Sequence, residues 1–419
     1  MSDQGTTEPA TAPSVPVLEG VRVVELAQFV FVPACGALLA DWGADVVKIE
    51  HPVSGDGYRG LVSQGILRVS DTGVNQSMEM HNRGKRSIGL DVATPEGRDL
   101  LLRLVETADV FLTNFLPSTL ARLRLDVDDL RAANPKIIYA RGHGHGVRGA
   151  DADMPAYDAT AYWARGGLGA TLTPANLERP INQRGGFGDR NGAVNLAFGV
   201  AAALFRRERT GEPSVVDVSL LATAVWNLAS DMLSALQGNF AAAPAAGQSA
   251  RMSPNPLVNG YVTKDGRYLS LLLLQPDRHW PDLARAIDRE DLLEDPRFAS
   301  ATAIFEHAAD MVDILEPLFA SRTLEEWRTT FSGARFPWAP YATAPEVIED
   351  PQVLANGYLA EIEHPGGNFR VPTGAVQFDE QPAALRRGPE HGEHTELVLL
   401  DLGFDWDEIT KLKESGVIN

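Results

Sequence analysis

Two rhythms of apolar residues run along the chain: short β-branched runs, and longer stretches with an apolar residue every three or four positions. The first alternation is the clearest. Val21 to Leu26 is an apolar run of strand length, and Pro33 suits the first turn of a helix, where its missing N–H costs nothing. Ala34 to Trp42 carries small and apolar residues at helical spacing, Gly43 ends it, and Ala44 to Ile49 predicts a second strand. Two parallel strands joined by a helix form a βαβ unit, whose ligands sit beyond the carboxyl ends of the strands. A ligand is therefore expected over the loop Ala27 to Val32.

The same reading predicts a short strand within Asn82 to Asp91, a helix from Thr94-Pro95-Glu96 to about Thr107, and strands at Val110 to Phe115 and Lys136 to Arg141. A long helix follows at Gly192 to Arg209, then a strand at Val215 to Leu220 and a helix reaching about Leu236. This is an α/β pattern, with a parallel sheet covered on both faces. Gly238 to Ala250 is uncharged and rich in Ala, Gly and Pro, which is linker composition. Leu257 to Leu274 reads as a hairpin about Lys264-Asp265-Gly266, with helices at about Arg278 to Ile287 and Thr302 to Phe319 and a capping box at Thr323 to Glu326. Strands at Gly357 to His364 and Phe369 to Phe378 and a helix capped by Asp405 complete the pattern.

A length of 419 residues points to two domains. Residues 1–17 form an expected disordered leader, polar and without the apolar core of a signal peptide. No window approaches the ~18 apolar residues of a membrane span. The formal net charge of −19 disfavours nucleic acid and anionic membrane as partners, while a local Arg cluster can still hold a small anion. The single cysteine, Cys35, allows no intrachain disulfide, fits a cytoplasmic location, and reads as a small buried hydrophobe.

Four groups of residues could carry chemistry. Asn114-Phe115 ends a strand, Pro117 and Ser118 open a short helix, and Arg122 follows: either an ordinary turn with a solvated Arg or an anion site. Gly142-His143-Gly144-His145-Gly146 lacks a third metal ligand, so a glycine loop that a ligand approaches closely is expected rather than a metal. Asp158, Glu178 and Asp189 are candidate carboxylates, although Asp158 and Asp189 each stand where a helix N-cap would. Arg83, Lys85 and Arg86 read as a solvated basic turn or a phosphate contact. Trp163, Phe187, Trp226 and Trp338 are candidates for an apolar pocket or for core.

These segments together resemble the class III CoA-transferase family, which includes formyl-CoA transferase, carnitine CoA-transferase and α-methylacyl-CoA racemase. The resemblance rests on Leu18 to Leu26, Leu39 to Glu50 with Ser54-Gly55-Asp56, Asn82 to Asp91, Thr94 to Gly97, Ala108 to Val110 with Asn114, Phe115 and Pro117, Gly188-Asp189, and Gly416 to Ile418, in the family's order. It implies a large Rossmann-like domain from residues 18–237 and 345–419, a smaller α+β domain with linkers at 238–344, and an interlocked homodimer. It implies coenzyme A or an acyl-CoA as substrate, with a small carboxylic acid as the other reactant and no tightly bound cofactor. The implied CoA contacts are Val30, Phe31, His51, Leu90, Asp91, Val92, Ala93, Asn114, Phe115, Leu116, Arg122 and His143 to Gly146.

The sequence also departs from the family. His51 replaces a common Arg, and Phe31-Val32-Pro33 is bulkier than the usual Ala-Gly-Pro, so the loop is expected to crowd the thioester. Where transferases carry Thr-Gly-x-x-Asp-Gly-Pro-Pro, this chain has Thr171 to Pro180, with Asn176 and Glu178 near the Asp position. An amide cannot attack a thioester to give an anhydride, which leaves Glu178 or Asp158 as expected nucleophile. The racemase branch instead pairs a His-Asp, here Tyr157-Asp158, with the Asp of Gly-Asp, here Asp189, as opposed acid and base. Three functions follow from the resemblance: CoA transfer through a carboxylate-linked intermediate, racemisation beside the thioester, or CoA-ester binding without turnover.

Overall fold

The computed structural model describes residues 16–61, 73–240, 253 and 255–419. The expected leader, up to residue 15, and residues 241–250 of the expected linker lie outside the described residues. The chain divides into two compact units. One holds Met1–Thr173, Arg179–Ala241 and Pro351–Asn419; the other holds Pro174–Glu178 and Ala242–Asp350.

The first unit is built on six parallel strands: β1 (Arg22–Leu26), β2 (Asp45–Glu50), β3 (Arg86–Gly89), β4 (Val110–Thr113), β5 (Ile138–His143) and β6 (Val215–Ser219). Their spatial order, 3-2-1-4-5-6, is that of the doubly wound Rossmann sheet. Each strand was expected from its apolar run. The two-residue period sends Val23, Val46, Val110 and Ile138 to a face covered by helix α1 (Phe31–Asp41) and the long helix Phe187–Thr210. It sends Val24, Val47, Ile88 and Phe111 to the other face, packed against helix Pro95–Glu106 and against Val398, Leu399 and Ile409 from the C-terminal region. Leu90 bridges to Ile418, so the C-terminal segment completes this core. Cys35 is fully buried, and burial pushes its thiol pKa up, in keeping with a packing role.

Some boundaries move. Helix α1 starts at Phe31, inside the expected loop. The long helix starts at Phe187 rather than Gly192, so Asp189 lies in its first turn and is not its N-cap; Gly186 holds that position at φ +69°. The last expected helix of this region divides into Leu220–Asn227 and Ala229–Leu236. An antiparallel pair, β10 (Leu359–Ile362) and β11 (Phe369–Pro372), also belongs to this unit.

In the second unit, β7 (Val258–Val262) and β8 (Tyr268–Leu272) form the expected hairpin, and β9 (Trp338–Pro340) extends it antiparallel. Its core gathers Tyr261, Trp280, Phe319, Trp327 and Phe331. The helix expected over Thr302 to Phe319 breaks at His307 into Ala301–Glu306 and Ala308–Phe319. The Thr323–Glu326 capping box forms as expected.

Candidate active site

In a doubly wound sheet, the crevice opens where strand order reverses, here between the carboxyl ends of β1 and β4. The loop after β1 is pinned there at successive residues. The Ala27 carbonyl accepts from Lys48 Nζ at 2.9 Å. Gln28 and Asn114 exchange two hydrogen bonds across the crevice: Gln28 N–H donates to Asn114 Oδ1 (3.1 Å), and Asn114 Nδ2 donates to the Gln28 carbonyl (2.7 Å). Phe29 takes a left-handed backbone at φ +67°, uncommon for a bulky side chain, while its N–H donates to Asp56 Oδ1 at 3.0 Å.

Beneath this loop lies a buried charge cluster. Glu25 and Lys48 stand opposite each other in the β1–β2 register, 3.2 Å apart and fully buried. Lys48 also meets Asp56 at 2.9 Å, and Lys85 meets Glu25 at 2.8 Å. Lys85 Nζ donates further to the carbonyls of Pro33 and His81 and to Asn82 Oδ1. Two cations and two anions sum to zero, which is how a charged cluster survives burial. A Cβ on Gly36 of α1 would collide with the Glu25 carboxylate, so the helix needs glycine there. Both readings of the basic turn are therefore corrected. Lys85 is buried, Arg83 is buried against Asp41, and Arg86 pairs with Asp45 and Asp401.

The acidic residues divide. Asp158 and Asp189 come together at the start of the long helix. Asp158 precedes a π-helical turn, Ala159–Ala164, but makes no capping hydrogen bond to it. Instead it accepts from the Gly188 N–H, at 3.2 Å to each oxygen, from the Asp189 N–H and from the Gln183 side chain. It thus caps a helix that begins almost thirty residues later. Burial raises the Asp158 pKa, with those donors and Arg190 acting against it. Asp189 has no such donors among the described residues. Burial first, and the Asp158 charge second, lift its carboxyl to about 7, with Arg190 opposing. Glu178 is exposed and belongs to the other unit, as does Asn176.

This carboxylate pair abuts the pinned loop. Tyr157 sets its ring edge-on to Phe29, with centroids 5.3 Å apart. A Cβ on Gly186 would stand 3.4 Å from Val30, and one on Gly192 would strike Phe31. Val30 packs with Tyr58 and Met78. Phe31 and Val32 are buried in the core, so the expected crowding of the thioester by Phe31-Val32 is corrected; Phe29 and Tyr157 are the bulky groups of this loop region.

The other expected contacts vary in what they offer. Arg122 is exposed, in the last turn of helix Pro117–Leu123, with no carboxylate partner among the described residues. At the start of that helix the Ser118 N–H donates to Asp153 Oδ1 at 2.9 Å, so one of its N–H groups already has an acceptor. Phe115 and Leu116 are half-buried beside Asn114. Leu90 is buried in the core, whereas Asp91, Val92 and Ala93 form a turn in which Asp91 Oδ1 accepts from the Ala93 N–H. His51 Nδ1 accepts from the Val53 and Ser54 N–H groups. His143 is buried at the end of β5, its Nε2 3.5 Å from Asp217. Burial would raise the Asp217 carboxyl, but hydrogen bonds from His143 and Arg141 outweigh it and hold the pKa at about 2. Gly142 is closely approached by Phe31 and Val32 and Gly144 by Ala156, so internal packing by itself requires glycine at both positions. Gly146 is left-handed at φ +98°, with no crowding. His145 is half-buried. Among the aromatic candidates, Phe187 and Trp226 are exposed, Trp163 is half-buried, and Trp338 packs in the second unit.

Spacing alone did not single out Gln28, Gln183 or Arg190. Gln28 lies in the loop already marked for a ligand, and Arg190 directly follows the Gly-Asp pair. No group of three His, Cys, Asp or Glu among the described residues could hold a metal. A cavity of about 330 Å³ opens at the opposite, amino-terminal end of β3, lined by Arg86, Arg386, Arg387 and His394. Arg86 and Arg387 are already paired with carboxylates there.

Comparison with known proteins agrees with this geometry. The model of CoA-transferase family III matches residues 18–395, and the chain belongs to that family. It is 33% identical to (R)-2-hydroxy-4-methylpentanoate CoA-transferase of Clostridioides difficile, over 96% of this chain and 99% of that one. It is 31% identical to cinnamoyl-CoA:phenyllactate CoA-transferase of Clostridium sporogenes, over 95% and 96%. Among solved structures, a CAIB/BAIF family protein from Brucella suis superposes with a TM-score of 0.77 at 28% identity, covering 93% of this chain and all of that one. The protein is a class III CoA-transferase, moving CoA between an acyl-CoA and an acid.

Proposed function

We propose that Asp189 carries the transfer as a covalent intermediate. The observation behind this reading is the carboxylate pair. Asp158 accepts from Gln183 and two backbone N–H groups, which oppose the upward push of its burial, while Asp189 has no such donors among the described residues and is lifted to about 7. A carboxylate titrating near neutrality is ionised at pH 8 and more basic than an ordinary one, hence a better nucleophile. Its oxygen attacks the thioester carbonyl, the C–S bond breaks, and CoA leaves as thiolate from an acyl-aspartyl anhydride. The thiolate then attacks the aspartyl carbonyl and releases the first acid, leaving aspartyl-CoA. The second acid's carboxylate repeats both steps in reverse and regenerates Asp189. Trapping with hydroxylamine or borohydride during turnover, followed by mass spectrometry, should mark Asp189; a mark on Glu178 or Asp158, or none, would reject this assignment.

The CoA moiety is expected over the pinned loop, between Asn114 to Leu116, the Asp91 to Ala93 turn and the loop near His145 and Gly146, with the Arg122 guanidinium for a phosphate. Two of the relatives are named for 2-hydroxy acids, (R)-2-hydroxy-4-methylpentanoate and phenyllactate, and this is the acid class we assign to the chain. Competition among 2-hydroxy, unsubstituted and dicarboxylic acids tests it: a 2-hydroxy acid should give the highest kcat/KM. Racemisation is the weaker reading, because Asp158 spends its oxygens on Gln183 and two backbone N–H groups. Deuterium wash-in at the α-carbon without a second acid would restore it.

A homodimer accords with the exposed apolar side chains Val194, Phe198 and Phe205 of the long helix and Trp226, Leu233 and Leu236 beyond it.

A further inference from the structure

The residue after Asp189 is a guanidinium with little to do. Arg190 donates from Nη2 to the Gly185 carbonyl at 3.1 Å, and among the described residues no carboxylate lies within ion-pair distance of it. It is folded back over the turn that opens the long helix. A Cβ on Gly186 would come within 2.8 Å of Nη1, so the left-handed glycine at φ +69° is what leaves room for this pose. Arg190 is also the cation that bears on both Asp158 and Asp189, and its charge reaches Tyr58 and His81 on the neighbouring wall.

The reaction demands a group of this kind. A free acid is an anion and must approach two neighbouring carboxyl groups, Asp189 and Asp158, so repulsion would oppose it unless a cation compensates. Guanidinium is the side chain whose planar fork matches a carboxylate with two parallel hydrogen bonds. One hydrogen bond to a carbonyl leaves most of the five Arg190 N–H donors uncommitted.

We propose that Arg190 is the docking site for the carboxylate of the acid substrate, both the acid that leaves and the acid that enters. This rests on the reading of Asp189 as the site of the intermediate. The subsite recognises the carboxylate alone, so it supplies affinity for any acid and leaves the choice among acids to the rest of the pocket.

The test separates the two half-reactions. Arg190→Gln should raise KM for the acid at least tenfold while KM for acyl-CoA stays within twofold, and hydroxylamine should still trap Asp189 when acyl-CoA is supplied alone. Arg190→Lys, which keeps the charge but loses the fork, should fall between wild type and Arg190→Gln. Gly186→Ala, which crowds the guanidinium, should shift the acid KM in the same direction. An unchanged acid KM in Arg190→Gln, or equal rises for acid and acyl-CoA, would overturn the docking role. Should Arg190→Gln fold poorly by thermal melt, the same comparison is read from Arg190→Lys. Failure of the Asp189 reading shows separately, as wild-type enzyme that traps no adduct on Asp189.

Discussion

As the proposed site of the intermediate, Asp189 is expected to set the pH dependence of transfer. Its folded-state pKa of about 7 lies above the ordinary carboxylate value, so the first half-reaction should gain rate as pH rises through 7. The stability sign is opposite. A raised carboxyl pKa favours folding most below the ordinary value, near pH 4, and that contribution is lost as pH climbs to 7. Asp189→Asn should therefore abolish transfer, on the order of a thousandfold or more, yet be more stable than wild type at pH 8 by about 1–3 kcal/mol, with the gap closing near pH 4. Thermal melts at the two pH values check this. Lys85 makes the contrary point about what a sequence conceals. A Lys beside an Arg at a turn reads as solvated, and its acceptor, Glu25, is sixty positions away. Nothing local announces that both side chains point to the same face of the sheet.

Among elements, most strands and helix caps were legible because their signals are local. Thr94, Thr323 and Asp405 each cap the helix they precede. The start of the long helix was not legible, because its cap comes from Asp158 across space and its own Gly185-Gly186 reads as loop. Asp158 and Asp189 are paired in the sequence only through the racemase resemblance; that Asp158 accepts the helix-start N–H groups while Asp189 does not is visible only in the fold. Asp158→Asn weakens that cap and removes the charge beside Asp189. It should cost about 1–2 kcal/mol in stability and move the acid limb of the pH–rate profile below 7. On the crevice side, Arg122→Gln should raise KM for acyl-CoA roughly tenfold and leave KM for the acid alone. Steady-state kinetics with each substrate varied distinguishes it from the Arg190 variants.

For the molecule as a whole, the alternation of runs and helical stretches carried the doubly wound sheet, since a parallel sheet buried on both faces writes itself as near-continuous apolar strands. The extra strand β9 escaped notice: three residues, two of them Ala and Pro, carry no strand signal. The exposed Phe198, Phe205 and Trp226 predict association, and light scattering should give about twice the 45.3 kDa chain mass, unchanged on dilution if the subunits are threaded.

The neutral quartet of Glu25, Lys48, Asp56 and Lys85 also constrains how this protein can change over generations. Losing one member strands its neighbour's charge in a dry interior, at a cost of about 3–5 kcal/mol, whereas exchanging an opposite-signed pair for apolar residues of similar bulk is close to neutral. Drift here must cross a valley. A saturation library should find each of these positions, and Gly36 above them, intolerant when varied alone, and should recover folded protein chiefly from coordinated double replacements such as Glu25 with Lys85.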